Sequence, residues 1–440
     1  MVSAEQNERL TRVGPGTPGG ALLRRYWQPA ALVEELEGER PVVPVRLLGE
    51  DFVLFRNATG EYGLLRRACP HRGADLAYGR LEREGLRCAF RGWLFNAEGR
   101  CLETPAEPEG SPLAIRVTQP SYPVRAVNGI VFAYLGEGAP PALPRFDCFI
   151  APDAYSFAFK GLWECNWLQA LEVGIDPAHA SYLHRFLEDE DPEAAYGRQF
   201  RDRSLDSAMP MTKVLREFSR PRIDWEKTDF GFRLITRREL SAAETHVRVT
   251  NLVFPNLITL PLSQEMTLSQ WHVPIDDQSC YWYAIFTSFG APVDKAEMRR
   301  QRLELYTLPD YRSRKNRANH YGYDPAEQQT RTYTGMGSDI NVHDQWAVES
   351  QGAIHDRTRE NLGVSDRGIV AYRRLLQTAM TKSAAGERPL MVLDPAAAAR
   401  LTGPATVDGI APAAQWQDYW RDADGRRRRN APWAEAGAAE

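Results

Sequence analysis

Two short stretches, Cys69-Pro70-His71 and Cys88-Ala89-Phe90-Arg91-Gly92-Trp93, lie sixteen residues apart and constrain this chain more than anything else in it. Each opens with a thiol donor, and the first adds an imidazole. Both lie among strand-length apolar runs broken by turn residues, so they read as two metal-bearing loops of a small antiparallel β domain. A mixed-ligand [2Fe–2S] centre takes two thiolates on one iron and two imidazoles on the other. Cys-x-His supplies one half of each pair, and Cys-x-x should end on the second imidazole. Position 91 is arginine instead. A guanidinium is always protonated, has no lone pair to give and cannot ligate iron. Cys69, His71 and Cys88 with a water would also make a catalytic zinc pattern, a lesser alternative.

The surrounding pattern supports two domains. Strand-like runs cover Val42–Leu48, Phe52–Arg56 and Tyr62–Arg67, after a Gly/Pro loop at 14–18 and a short helix at Ala21–Trp27. Asn128-Gly129, between Val124–Val127 and Ile130–Leu135, predicts a tight hairpin, because Asn-Gly tolerates the positive φ of a type I′ turn. A proline-stiffened linker follows at 136–144. Beyond it the expectations are a helix over Trp163–Arg185, an exposed acidic loop at 188–193, and strands from about Val214 to Phe289. Helices are expected again over Asp294–Tyr306 and Asp344–Ala379, with a frayed end at 434–440. There is no internal repeat.

Composition excludes several partners. With 54 Lys and Arg against 58 Asp and Glu, no basic excess is present to track phosphates, so a nucleic-acid partner is not expected. The one basic block, Arg426-Arg427-Arg428-Arg429, reads as a solvated tail. No run approaches the 18 or so apolar residues of a membrane span, and the first ten residues have no secretory pattern. Six cysteines are too few for a disulfide framework. Cys101, Cys148, Cys165 and Cys280 read as reduced core thiols, and a cytoplasmic setting is expected.

A second donor cluster is Asp176-Pro177-Ala178-His179, followed by His184. Two nearby histidines joined by a distant carboxylate make the facial triad that leaves open positions on a non-haem Fe(II). On an ideal helix positions five apart do not share a face, so one metal could be reached by both only if the helix bulges. Asp176 as N-cap with Pro177 at N1 is the bland reading. It leaves unexplained why two of eight histidines fall within six residues. The third ligand is open among His343, Asp344 and Glu349, with helix capping a competing role for Asp344.

These stretches together resemble the terminal oxygenase component of the Rieske non-haem iron, aromatic-ring-hydroxylating oxygenases. The resemblance is nearest to the phthalate and phenoxybenzoate dioxygenase branch, which includes O-demethylating relatives. It rests on Gly14-Pro15-Gly16-Thr17-Pro18 with Arg25-Tyr26-Trp27, the stretches at Cys69–Gly73 and Cys88–Trp93, and Asn166-Trp167 with Asp176, His179 and His184. His343-Asp344-Gln345 through Asp356-Arg357 completes it, so nearly the whole chain is covered. The implied fold is α+β. Residues 1–145 would form an all-β Rieske [2Fe–2S] domain. Residues 146–440 would form an α+β catalytic domain with a central antiparallel sheet flanked by helices.

The resemblance also implies roles. Cys69 and Cys88 would hold one cluster iron and His71 the other, with Arg91 at the place of the missing fourth ligand. His179, His184 and Asp344 would bind the mononuclear Fe(II), and Asp176 would bridge electrons between subunits of a homotrimer or dimer of trimers. NAD(P)H electrons would arrive through a flavin and iron–sulfur reductase, and O₂ would react with a small aromatic, preferably carboxylated, substrate. Arg91 should leave the cluster absent, labile or altered, and across the trimer it would face Asp176. Arg237, Arg248 and His246 could anchor an acid, although surface placement is the default for each. The rival readings are an electron-carrier ferredoxin, disfavoured by the long chain beyond the linker, and a cluster-less ligand-binding or assembly subunit.

Overall fold

The computed structural model describes residues 2–189 and 206–433. Two compact units emerge: Arg12–Pro141 with Pro274–Asp277, and Met1–Thr11 with Ala142–Val273 and Gln278–Glu440. The first eleven residues, expected with the N-terminal segment, therefore cluster with the larger unit. There Asn166 Nδ2 donates to Thr11 O (2.9 Å) and Asn7 Nδ2 to His355 O (2.9 Å).

The smaller unit is all β apart from short helical turns. One four-stranded sheet contains Val42–Leu47, Glu50–Arg56, Tyr62–Arg66 and Ser121–Tyr122. A second contains Arg80–Leu81, Leu86–Arg87, Leu94–Phe95 and Cys101–Glu103. The expected hairpin forms, with Val127 opposite Ile130 and positive φ at Asn128 (43°) and Gly129 (88°). Instead of continuing to Trp27, the early helix ends at Leu23, and Trp27–Leu32 pairs as a strand with Ile130–Tyr134. Val53, Phe55, Leu65, Leu76, Leu86 and Phe95 pack into one core with Cys69, Cys88 and Cys101. The thiols thus hang from apolar packing, and the loops that bear them need no fold of their own.

The larger unit is built on a ten-stranded sheet. Its main strands run in the order Arg222–Thr228, Gly231–Glu239, Glu244–Val253, Leu257–Pro261, Met266–Pro274, Cys280–Ser288 and Ser156–Trp163. Cys280–Ser288 pairs antiparallel with Ser156–Trp163, as do the successive strands from Arg222–Thr228 to Met266–Pro274, whereas the single bridge Leu162↔Arg312 is parallel. Helices Trp167–Gly174, Ile340–Glu349, Arg367–Ala384 and Trp416–Asn430 belong to this unit.

Four expectations need correction. The helix expected through Arg185 stops at Gly174, because Pro177 disfavours helical φ/ψ at Asp176. A short helix, Met211–Glu217, stands where the strand series was to begin. The single helix expected over Asp344–Ala379 is two, Ile340–Glu349 and Arg367–Ala384, separated by a loop in which Gly352 has φ +96°. The arginine block is no solvated tail. It forms the last turn of Trp416–Asn430, where Arg427 and Arg428 bond Asp424 and Arg428 also pairs with Asp147. Of the acidic loop, Glu188 and Asp189 are exposed; 190–193, like 434–440, lie outside the described residues.

Candidate metal centres

Where the long helix was expected, the chain instead breaks and turns, and the break solves the spacing problem. After Gly174, Asp176 Oδ1 accepts from Ala178 N (2.9 Å), and a 3₁₀ turn covers His179–Ser181. Leu183 N donates to His179 O (2.8 Å), so His179 and His184 lie on successive turns and face each other without a bulge. Arg238, buried beneath, donates to Ser181 Oγ (3.1 Å) and Phe218 O (2.9 Å), and Arg185 donates to Ser181 O (3.0 Å). Asp344 comes from helix Ile340–Glu349. The capping role belongs to Asp339, which accepts from Asn341 N (2.7 Å) and Val342 N (3.2 Å). Asp344 is left one turn further in, free of that duty.

Neither competing donor joins the set. His343 lies behind it, and Glu349 bonds Glu164 N (2.8 Å), Tyr321 Oη (2.7 Å) and Gln345 Nε2 (3.2 Å). Gln169 of helix Trp167–Gly174 donates to Val348 O (2.9 Å) and Gly352 O (2.7 Å) and so ties that helix, which leads into the histidine turn, to the segment that carries Asp344.

One donor atom each from His179, His184 and Asp344 lie within 4.8 Å of one another. The two Nε2 atoms are 3.1 Å apart, and Asp344 Oδ1 is 3.3 Å from His184 Nε2 and 3.8 Å from His179 Nε2. Hydrogen bonding sets the tautomers. His179 Nδ1 donates to Asp176 O. His343 Nε2 donates to Gly337 O (2.8 Å), so its Nδ1 can accept from His184 Nδ1 (3.4 Å). Both Nε2 lone pairs therefore point at each other and at a carboxylate oxygen that is buried without a hydrogen-bond partner. Two lone pairs this close repel unless a cation sits between them. Nitrogens about 2.1 Å from one ion and cis to each other would be about 3 Å apart. The residues fit a metal ion, and the Nδ1 partners supply the usual outer support of metal-bound imidazole.

Electrostatics agree. Burial, and then the His184 charge, lowers the His179 pKa, and burial with His184 pushes His343 down to about 4. Burial pushes Asp344 up to about 6. A cation would reverse that last cost.

A cavity of about 130 Å³ opens beside these atoms, lined by His179, His184 and Asp344 and walled by Ile258, Leu260, Leu262 and Leu268. Its polar lining includes Arg248, Gln270 and His272, of which the sequence had flagged only Arg248. Surface placement was the wrong default for two of the three flagged residues. His246 is fully buried and bonds Asp408 Oδ1 (3.0 Å). Arg248 lines the cavity and bonds Asp408 Oδ2 (2.8 Å) and Pro261 O (3.2 Å). Arg237, half-buried, does not line the cavity and lies over Trp416 and against Asp224. Gln270 and His272 alternate on one strand and carried no motif that could have marked them. Burial lowers His272 to about 3, so it is neutral and can accept from Gln270 Nε2 (3.2 Å).

In the smaller unit the two loops are copies of each other. Cys69 N donates to Ala74 O and Gly73 N to Cys69 O (both 2.8 Å); Cys88 N donates to Trp93 O (2.8 Å) and Gly92 N to Cys88 O (2.9 Å). Gly73 and Gly92 each close their loop at φ +77°, in the left-handed region that favours glycine. Arg67 braces the first loop through Asp75, and Arg87 the second through Gly92 O (2.6 Å), Glu82 and Glu103.

Cys69 and Cys88 are buried, and burial, together with the Cys88 thiol bonded to it, raises Cys69 to about 11. His71 packs on Trp93 (ring centroids 4.7 Å apart), and its Nδ1 is buried without a partner. Those three residues fit two thiolate ligands and one imidazole ligand of a cluster. Arg91 does not fit. Its side chain is 44% exposed and lies 3.9 Å from Glu107.

Residues 26–123 match the Rieske [2Fe-2S] domain family, and residues 150–431 match the LigXa C-terminal domain like family. Among curated proteins, the 5,5'-dehydrodivanillate O-demethylase oxygenase subunit of Sphingobium sp. is 35% identical over 90% of this chain and 85% of that one. The phthalate 4,5-dioxygenase oxygenase subunit of Pseudomonas putida is 32% identical over 95% of each. A solved structure, the Pseudomonas putida CBB5 NdmA QL mutant with theobromine, superposes with a TM-score of 0.57 at 18% identity, covering 83% of this chain and 92% of that one. No helix among the described residues is long and apolar enough to cross a membrane.

Proposed function

Since the chain belongs to the Rieske non-haem iron oxygenases as a terminal oxygenase (alpha) subunit, we propose that it hydroxylates or oxidatively dealkylates a single-ring aromatic acid. His179, His184 and Asp344 would hold the mononuclear iron. An Fe(II) ion held on such a face keeps open positions at which O₂ is activated beside the substrate. The supporting observation is the convergence of two Nε2 lone pairs and an unpartnered carboxylate oxygen at the wall of an apolar cavity.

The chain's own residues set the substrate. A cavity of about 130 Å³ is near the size of an engineered apolar cavity of about 150 Å³ that takes up benzene, so it suits a single ring. The isobutyl and sec-butyl walls exclude water from it. At the polar wall, Arg248 donates to Asp408 Oδ2 and Pro261 O, and a second guanidinium, Arg238, is buried within electrostatic reach of both Arg248 and Asp408. Burial, and then Arg248, lower Arg238 to about 10. A substrate carboxylate at Arg248 would form a charge-assisted hydrogen bond.

Electrons would come from NAD(P)H through a partner flavin and iron–sulfur reductase, in a homotrimer or dimer of trimers with Asp176 at the subunit contact. Exposed Tyr182, Tyr323, Tyr333 and Trp346 border a groove at His179, and Tyr78 and Phe90 are exposed on the cluster unit, which suits such contacts. A reducing cytoplasm suits six buried cysteines, none in a disulfide.

Arg91 should impair electron supply through the smaller unit, and it favours a second reading, an inactive or cluster-less subunit that binds ligand or supports assembly. Hydrogen peroxide separates the two, since it carries oxygen already reduced by two electrons. Iron-loaded protein given peroxide and a panel of benzoates and methoxybenzoates should yield hydroxylated or demethylated acids. No iron bound and no product would leave the subunit reading.

A further inference from the structure

We propose that the smaller unit holds an iron–sulfur centre with three protein ligands, Cys69, Cys88 and His71, whose fourth position is taken by a small exogenous anion at a rim made by Arg72 and Arg91. This builds on the family membership above but not on the mononuclear site. The donor set is three-quarters complete. Two buried thiols adjoin each other, and an imidazole nitrogen is buried with no other use.

The missing quarter has a location. The two loops share one backbone hydrogen-bond pattern, so residues three beyond each cysteine are equivalent, and those residues are Arg72 and Arg91. Both are exposed. Arg72 lies over the Phe90 ring (5.2 Å), with no ion pair among the described residues. Arg91 reaches a carboxylate only at 3.9 Å, a distance at which an exposed pair contributes little.

Position 90, the counterpart of His71, is phenylalanine, half exposed, with its ring centroid 6.0 Å from that of His71. Phe90 therefore supplies no donor, and the third thiol of the same core, Cys101, donates to Glu103 O (3.5 Å). Two guanidiniums at the rim disfavour a further cationic donor and favour an anion, through charge-assisted hydrogen bonds. The ligand class is a small monodentate anion such as hydroxide or a carboxylate.

The test uses the full-length Asp344→Ala chain, so that anions cannot report from the mononuclear site. Two irons and two sulfides per chain are expected, with a visible and electron-paramagnetic spectrum that shifts saturably on titration with azide or with imidazole. Replacing Arg72 and Arg91 together by alanine should weaken azide about ten-fold while leaving neutral imidazole unchanged, as two exposed cations would. Arg91→His should give a spectrum indifferent to both probes. A cluster whose spectrum ignores azide and imidazole overturns the proposal. So does a chain with no sulfide, or with zinc in place of iron. None of these outcomes bears on iron at His179, His184 and Asp344, which the unsubstituted chain reports separately.

Discussion

Glu172→Gln is the substitution by which the scaffold of the iron turn is best measured. Glu172 lies four residues before Asp176, in the helix that delivers the turn, and is the hub of a buried network. Arg357 Nη2 donates to its Oε2 (2.9 Å) and Arg373 Nε to its Oε1 (2.6 Å). Arg373 keeps a second carboxylate, Glu360, when Glu172 is neutralised. Arg357 does not: it is fully buried, and its other partners are Asn7 Oδ1 (3.2 Å) and His355 O (3.4 Å). The amide therefore strands one buried guanidinium, a loss of about 3–5 kcal/mol for breaking one side of a buried pair. Burial alone would raise the Glu172 pKa, but Arg357 and Arg373 overcome it and hold the carboxyl below its usual range. A depressed carboxylate stabilises the fold above its unfolded pKa of about 4.3 and ceases to as pH falls through its lower folded value. Urea unfolding should show the full deficit at pH 7 and a shrinking one below about pH 4, with the m-value unchanged. Equal midpoints for the two proteins at pH 7 would refute the pairing. A deficit that did not shrink in acid would place the loss in packing instead of charge.

Asp344→Ala should abolish stoichiometric iron at the triad, read by metal analysis after mild chelation, while leaving the thermal midpoint of the metal-free protein nearly unchanged, since Asp339 and not Asp344 caps the helix. Arg248→Gln should weaken a benzoate relative to benzamide by about ten- to a hundred-fold, the range for a lost hydrogen bond to a charge, and equal weakening of both would remove the carboxylate from that place. Leu268→Trp should block ligand uptake in a thermal-shift titration for about 1–3 kcal/mol of overpacking, with iron content retained. Arg238→Met removes the donor to Ser181 and should raise the iron dissociation rate in chelator competition, whereas an unchanged rate would make that guanidinium a bystander to the turn.

Donor residues were legible in the sequence because metal chemistry restricts them to a few side chains, and the spacing of Cys69, His71, Cys88, His179 and His184 carries that restriction. Which residue joins the two histidines was not legible from donor chemistry alone, and only the family resemblance singled out Asp344. Asp339, His343, Asp344 and Glu349 all lie within one helix or at its cap, and only three-dimensional hydrogen bonding assigns each a different partner. The Asn128-Gly129 hairpin was legible because its backbone demand is local. The break after Gly174 was harder to read: helix propensity favours continuation through Leu183, and Pro177 could as well have begun a helix as ended one. His246, Arg248 and Arg427 misled for a common reason. A charged residue reads as exposed until its counter-charge is found, and Asp408 and Asp424 lie far away in sequence or within a segment that looked like a tail. Gln270 and His272 were silent, since alternation along a buried strand looks the same whether the inward face meets a core or a cavity.

The two metal-bearing units also differ in how far a single substitution can reach. In the larger unit, each imidazole donor is held by a partner outside the set, Asp176 O for His179 and His343 for His184, so loss of one ligand leaves the others oriented. In the smaller unit, Cys69, Cys88 and the loops that carry them are fixed by backbone hydrogen bonds, two positive-φ glycines and an apolar core that do not involve residue 91. The side chain at 91 is exposed, and its ion-pair partner among the described residues is Glu107 at 3.9 Å, so arginine in place of a ligand costs the fold almost nothing. Stability therefore offers no signal of the change, and a well-folded chain with normal iron at the triad is compatible with a centre in the other unit that cannot pass electrons. Activity with peroxide set beside activity with a reductase is accordingly the measurement that registers position 91. Arg91→His should raise the second and leave the first where it was.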